Sequence, residues 1–362
     1  MYKMNNYKER VLFMEEINKK KQRILYYDIL NILACFCVIW LHTNGTVHKY
    51  FPTFSWKTSL IVEVIAYWAV PVFFMLTGAT LMDYRKKYDT KTFFKKRIQR
   101  AVVPFFVWSL LMLIWGHYTD RISIENITCR NIINILILNQ QENTYWFFWA
   151  IFSIYLSLPI LSLLTEEKNR KILWYIVVVS AIFNSVPLIS YLLKIEWNGY
   201  FNFPVASGYI MYVVLGYLIS TQDMNKRSKF IIYALGILSA IIRYSVTYIL
   251  SSRDGMINTL LFNYSYITTL FLALSVFVFV KNINFNKIFK NDKVIKSITS
   301  ISSCSLGIYL IHKIVMAYEI QLFNIDAYSL KWRTIGAVST YLLCLIVIFV
   351  MKKIPIIKKI VP

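Results

Sequence analysis

The run from Tyr26 to Thr43 reads Tyr-Tyr-Asp-Ile-Leu-Asn-Ile-Leu-Ala-Cys-Phe-Cys-Val-Ile-Trp-Leu-His-Thr. It is apolar except at Asp28, Asn31 and His42. As a helix it places Asn31 and His42 close to three turns apart, so the two project from nearly one face, roughly 16 Å apart at 1.5 Å per residue. Asp28 lies one turn before Asn31 on that face, and Cys35 falls between Asn31 and His42. The run therefore predicts a greasy cylinder with a single polar stripe. Titratable groups at membrane depth are costly and usually face a bundle interior or a wet cavity. The plainer alternative is a histidine at the outer interface that only hydrogen-bonds there.

Working outward, the 362-residue chain is 57% hydrophobic, 17% aromatic and 16% charged, against about 25% charged in a soluble domain. These values predict an all-α integral membrane protein. Its net charge of +22 is explained by basic segments between spans rather than by nucleic acid, and the aromatics by interfacial belts. The apolar run is followed by no small-residue cleavage pattern and is expected to remain as the first span. Four cysteines, Cys35, Cys37, Cys304 and Cys344, fall in apolar runs, leaving Cys129 in an outer segment; no metal spacing or disulfide framework is read.

The pattern predicts a bundle of about ten transmembrane helices: 24–42, 58–82 with a kink at Pro71, 101–118, 145–165, 172–190, 204–220, 230–250, 263–280, 300–323 and 334–351. The piece 132–138 is too short to span and is expected to be interfacial or re-entrant. The segment 83–100 reads as a loop with eight Lys and Arg. On this layout 30 of the 40 Lys and Arg fall in segments on one side and eight on the other, which places both termini in the cytoplasm. The predicted organisation is a basic N-terminal tail at 1–23, a transmembrane domain at 24–351 and a C-terminal tail at 352–362.

The chain shows no phosphate loop, dinucleotide turn or zinc spacing. Its candidate chemistry is a thin set of polar groups at membrane depth. His42 and His312 lie in spans running the same way, each toward the outer half, so they can meet one cavity. An imidazole there can take a proton from an alcohol or carry a transferring group. The alternative for His312 is a core histidine bonded to a neighbouring helix. Glu319, two turns after His312, can orient it or bind a partner at the outer mouth. Arg97 and Arg100, at i and i+3 beside a span mouth, suit bidentate phosphate binding; lipid contact is the plainer reading of the lysines around them.

Several stretches carry a resemblance to a known family. Tyr27-Asp28-Ile29-Leu30-Asn31-Ile32-Leu33-Ala34, ending in Leu41-His42, resembles the opening of the membrane-bound acyltransferase 3 family. Val70-Pro71-Val72-Phe73-Phe74-Met75-Leu76-Thr77-Gly78, Phe93-Phe94-Lys95-Lys96-Arg97-Ile98-Gln99-Arg100 and Pro104-Phe105 follow in the family's order. Trp146-Phe147-Phe148 and Ser305-Leu306-Gly307-Ile308-Tyr309-Leu310-Ile311-His312 resemble its later elements. The resemblance runs from about Tyr26 to Met351. An arginine before the first-span histidine marks the family; here that position is Asn31, which can donate hydrogen bonds but brings no charge.

The resemblance implies a multi-pass cell-membrane O-acyltransferase. Its donor substrate would be cytoplasmic acetyl-CoA or another acyl-CoA, with no permanently bound cofactor and no metal. Its acceptor would be a hydroxyl of an envelope polysaccharide or lipid-linked sugar. On that reading His42, with Asp28, Asn31 and His312, is catalytic. Arg97, Arg100 and Lys96 grip CoA phosphates, and Tyr145, Trp146, Tyr309 and Glu319 shape the acceptor side. Some relatives resemble exporters, so a transporter of a sugar, glycan or amino acid through the same cavity is the alternative. A structural scaffold would leave the buried His, Arg and Glu without a purpose.

Overall fold

A computed structural model describes residues 24–122 and 128–361. The expected N-terminal tail at 1–23 lies outside the described residues, as does part of the outer segment before residue 128. No strand occurs among the described residues. Backbone groups in a bilayer have no water to bond, so a chain this apolar satisfies them within helices.

The helices are α1 (Leu25–Thr43), α2 (Phe54–Ala66), α3 (Ala69–Leu81), α4 (Thr90–Arg97), α5 (Val103–Tyr118), α6 (Cys129–Ile137), α7 (Trp146–Leu161), α8 (Arg170–Leu193), α9 (Ile210–Thr221), α10 (Lys226–Asp254), α11 (Ile267–Asn282), α12 (Phe285–Ile288), α13 (Asp292–Ser303), α14 (Ser305–Leu322) and α15 (Ala337–Met351). Among the described residues seven helical stretches are long and apolar enough to cross a membrane: Leu25–Thr43, Phe54–Lys86, Thr90–Tyr118, Asn143–Leu164, Glu167–Leu193, Lys226–Asp254 and Trp332–Met351. The pair α13 and α14, bent by 57°, adds an eighth if it is one span. The chain is an all-α integral membrane protein.

At the sixth and eighth predicted spans stand two shorter apolar helices, α9 and α11. Twelve residues are fewer than the ~20 a lipid-facing span needs. But α9 is buried on every side from Met211 to Ile219, so neighbouring helices rather than lipid set its environment.

Local sequence explains the irregularities. The second span is interrupted at Tyr67–Trp68 because Pro71, four residues on, has no N–H for the Tyr67 carbonyl. The segment 83–100, read from its charge as a loop, is helical from Thr90. Asp89 caps that helix by accepting from the Thr92 N–H at 3.1 Å, and Phe93 is buried beneath it. The turn then widens into a π-helical segment at Ile98–Val102, where the Val103 N–H reaches back to Ile98; Pro104 leaves the Arg100 carbonyl without its usual partner. The piece expected to be interfacial is the short helix α6, which buries Leu136 and leaves Ile133 and Ile137 exposed.

Helix α1 is central, packed against α3, α13, α14 and α15. Its buried Leu30, Ala34, Cys35 and Ile39 sit in the main core. Helix α3 packs against α9 at backbone distance. A Cβ on Gly78 would lie 1.8 Å from the Val213 carbonyl oxygen, and one on Gly216 would lie 2.0 Å from that of Met75. Small residues at such crossings are how membrane helices gain close packing. The C-terminal segment folds back onto the bundle: Trp108 donates to the Ile360 carbonyl at 3.0 Å, and Val361 is fully buried.

Candidate active site

The break between α13 and α14 sits beside the middle of α1. A helix end leaves carbonyls without partners, and Asn31 supplies a donor there. Its amide donates to the Ser302 carbonyl at 2.8 Å and to the Ser302 and Ser305 hydroxyls at 3.0 Å each. Asn31 thus ties the first helix to the broken one.

Two cavities share a wall at this junction. Both are bordered by Asn31, Phe73, Phe147, Ser302 and Leu306. One, of about 520 Å³, extends along the N-terminal half of α1 and is bordered by Asp28, Arg97, Arg100 and Tyr155. The other, of about 450 Å³, extends along the C-terminal half and is bordered by His42, His48, Glu63, Tyr67, Trp146, Tyr264 and Tyr309. The stripe Asp28–Asn31–His42 therefore runs through both, with Asn31 at the waist.

In the first cavity Arg97 is half-buried and Arg100 exposed. The Arg97 guanidinium lies 5.7 Å from the Tyr155 ring centre and 5.9 Å from that of Phe93, and its Nε is buried without a hydrogen-bond partner. Asp28 is buried and accepts from the Thr299 hydroxyl at 3.3 Å. Lys96 instead lies over the Tyr88 ring at 3.9 Å and does not border the cavity.

In the second cavity the His42 ring stacks on His312, with centres 5.0 Å apart and planes 29° from parallel. His312 is fully buried behind His42 and does not itself border the cavity. Its Nδ1 lies 2.6 Å from the Tyr309 carbonyl, which can only accept, so Nδ1 carries the hydrogen. Its Nε2 has no partner. His312 is thus a ring fixed by its own helix, and His42 is the imidazole that faces open space.

The acceptor-side candidates separate by position. Trp146 borders the second cavity and stacks on Tyr264, centres 5.8 Å apart. Tyr309 borders it too, while its hydroxyl donates to the Thr144 carbonyl. Tyr145 is fully buried and donates to the Leu310 carbonyl at 2.7 Å, so it joins α7 to α14 rather than facing the space. Glu319 turns from both His312 and the cavity. It accepts from Ser339 at 2.7 Å and from the Thr340 hydroxyl, clamping α14 to α15.

Other groups at the second cavity were not singled out by sequence reasoning for its chemistry. Glu63 of α2 and Tyr67, the residue that ends that helix one turn on, both border it, and Tyr67 stacks on Tyr264 with centres 4.4 Å apart. Behind them Arg243 of α10 is fully buried, its guanidinium 3.9 Å from the Tyr67 ring centre. A carboxylic acid near the outer end of a span was a legible signal for Glu63. Nothing in the local sequence ties it to residue 243 or residue 264.

With this geometry in view, comparison with protein families is decisive. The profile of an acyltransferase domain, acyltransferase 3, matches residues 24–351. The chain belongs to the acyltransferase 3 family. Comparison with curated proteins and with solved structures yields no match. The membership makes the chain a membrane acyltransferase. In this acyltransferase one cavity is bordered by Arg97 and Arg100, and the adjoining one by the His42 imidazole and by the aromatic rings of Tyr67, Trp146 and Tyr264.

Proposed function

We propose that this acyltransferase takes an acyl group, acetyl in the simplest case, from cytoplasmic acyl-CoA. It passes the group to a hydroxyl of an envelope polysaccharide or lipid-linked sugar on the far side of the cell membrane. The observation that supports this reading is that two cavities, one bordered by Arg97 and Arg100 and one by His42, adjoin across the wall at Asn31. CoA is too polar to leave the cytoplasm, so its phosphates remain at Arg97 and Arg100 while the thioester passes the waist toward His42. Arginine is suited to that grip because its planar fork bonds phosphate oxygens in pairs. The positive-inside distribution of Lys and Arg supports placing these arginines at the cytoplasmic end.

At His42 the acceptor hydroxyl loses its proton to the imidazole as its oxygen attacks the thioester carbonyl carbon. The carbon–sulfur bond breaks, CoA leaves as thiolate, and the proton passes from His42 to the sulfur. The new ester stays on the acceptor. Asp28 and Asn31 would hold the donor arm and the helix break beside it.

The test is release of free CoA thiol by purified protein in lipid nanodiscs supplied with acetyl-CoA and envelope glycan extract. Wild type should release thiol and form base-labile ester. His42→Ala should reduce both by about 10²–10⁴-fold, the usual contribution of a positioned general base. Movement of glycan with no thioester consumed would establish a transporter instead.

A further inference from the structure

Within the second cavity the carboxylate of Glu63 has no role in the transfer just described. Glu63 is 5% exposed, borders the cavity, and its Oε2 has no hydrogen-bond partner among the described residues. A buried acceptor left unmade is expensive. Its surroundings are specific. Tyr67, Tyr264 and Trp146 form a row of stacked rings, with 19° and 22° between successive planes. Arg243, with Nη1 spent on the Leu261 carbonyl and on the Thr269 hydroxyl at 3.0 Å, stands behind Tyr67 within electrostatic reach of Glu63.

We propose that Glu63 is a specificity-determining residue of the acceptor site. Its free oxygen accepts a hydrogen bond from a hydroxyl of a neutral sugar ring, other than the hydroxyl that is acylated, while the ring's C–H face lies on the Tyr67–Tyr264–Trp146 row. Rings of this kind supply flat apolar area, and the carboxylate supplies the polar contact that fixes orientation. Charge decides against the obvious competitor. An aromatic wall beside a carboxylate also suits an ammonium group, but the buried Arg243 guanidinium behind Tyr67 adds positive charge to this wall and disfavours a second cation on it. The inference rests on reading this cavity as the acceptor side and names what that side recognises.

The experiment is equilibrium binding of radiolabelled butyl β-glucopyranoside to the full chain in nanodiscs, with no acyl-CoA present. Wild type should bind saturably, and Glu63→Gln should bind about tenfold more weakly, because its amide oxygen is an uncharged and weaker acceptor than a carboxylate. A series of monodeoxy glucosides should contain one that loses binding to wild type by at least a similar factor and loses less on Glu63→Gln. Butyltrimethylammonium should not compete. Equal affinity of wild type and Glu63→Gln overturns the proposal. So does indifference of wild type to every deoxy change, absence of saturable binding, or preference for the ammonium. If Glu63→Gln does not purify in folded form, the deoxy series on wild type decides alone. Acyl transfer is read separately as thiol release, so sugar binding without thiol release defeats the transferase reading and leaves this one standing.

Discussion

Two histidines lie against one another, yet only one can meet a substrate. His312 is pinned by the Tyr309 carbonyl and sealed from the cavity, whereas the His42 ring covers it and borders open space. His42→Ala should therefore lower turnover by about 10²–10⁴-fold, while His312→Asn, which keeps a donor for the Tyr309 carbonyl but removes the ring, should lower kcat less and leave the KM for acyl-CoA unchanged. Equal loss in both variants would show that His312 takes part in the proton transfer directly. The cationic side chains divide in the same way. Arg97→Ala and Arg100→Ala should each raise the KM for acyl-CoA, and Lys96→Ala should not, since its ammonium lies on Tyr88. Steady-state kinetics over a range of acetyl-CoA checks this; three equal effects would reduce the segment to diffuse charge. The stripe of Asp28, Asn31 and His42 was legible because helical periodicity alone aligns those residues. The partners of Glu319 and Tyr145 were not, because Ser339, Thr340 and Leu310 come from the folding of other segments against them.

Among the elements, two close approaches carry the site. Helices α3 and α9 touch where Gly216 faces the Met75 carbonyl, with no room for a methyl group. Gly216→Ala should push them apart and cost about 1–3 kcal/mol, as overpacking does. Gly199→Ala, where a Cβ meets nothing within 4 Å, should be neutral. Thermal unfolding in nanodiscs reads both; an unchanged midpoint for Gly216→Ala would mean the crossing is looser than described. The second approach is Asn31 at the α13–α14 break. Asn31→Ala removes the donor shared by Ser302 and Ser305, so amides of residues 302–308 should exchange hydrogen faster while those of α10 do not change. Unchanged exchange would show that the break stands without Asn31. The first span was readable to within about a residue at each end, because a long apolar run admits no other structure in a bilayer. The helix starting at Thr90 was not, because charge density masked its Asp89 cap and buried Phe93. The short α9 was overextended because lipid-facing length does not apply to a helix enclosed by protein.

At the scale of the molecule, the account is a path with different chemistry at its two ends: arginines and Asp28 on one side of Asn31, His42 and the aromatic wall on the other. On the proposed reading the donor comes from the arginine end and the acceptor from the histidine end. The most direct measurement uses inside-out membrane vesicles from cells making the full chain, given radiolabelled acetyl-CoA on their outer, cytoplasmic face. The account predicts base-labile label on glycan inside the vesicles with wild type and none with His42→Ala. With Arg97→Ala the label should be restored only at raised acetyl-CoA. Full labelling with His42→Ala, or equal labelling when acetyl-CoA is offered to right-side-out vesicles, would contradict it.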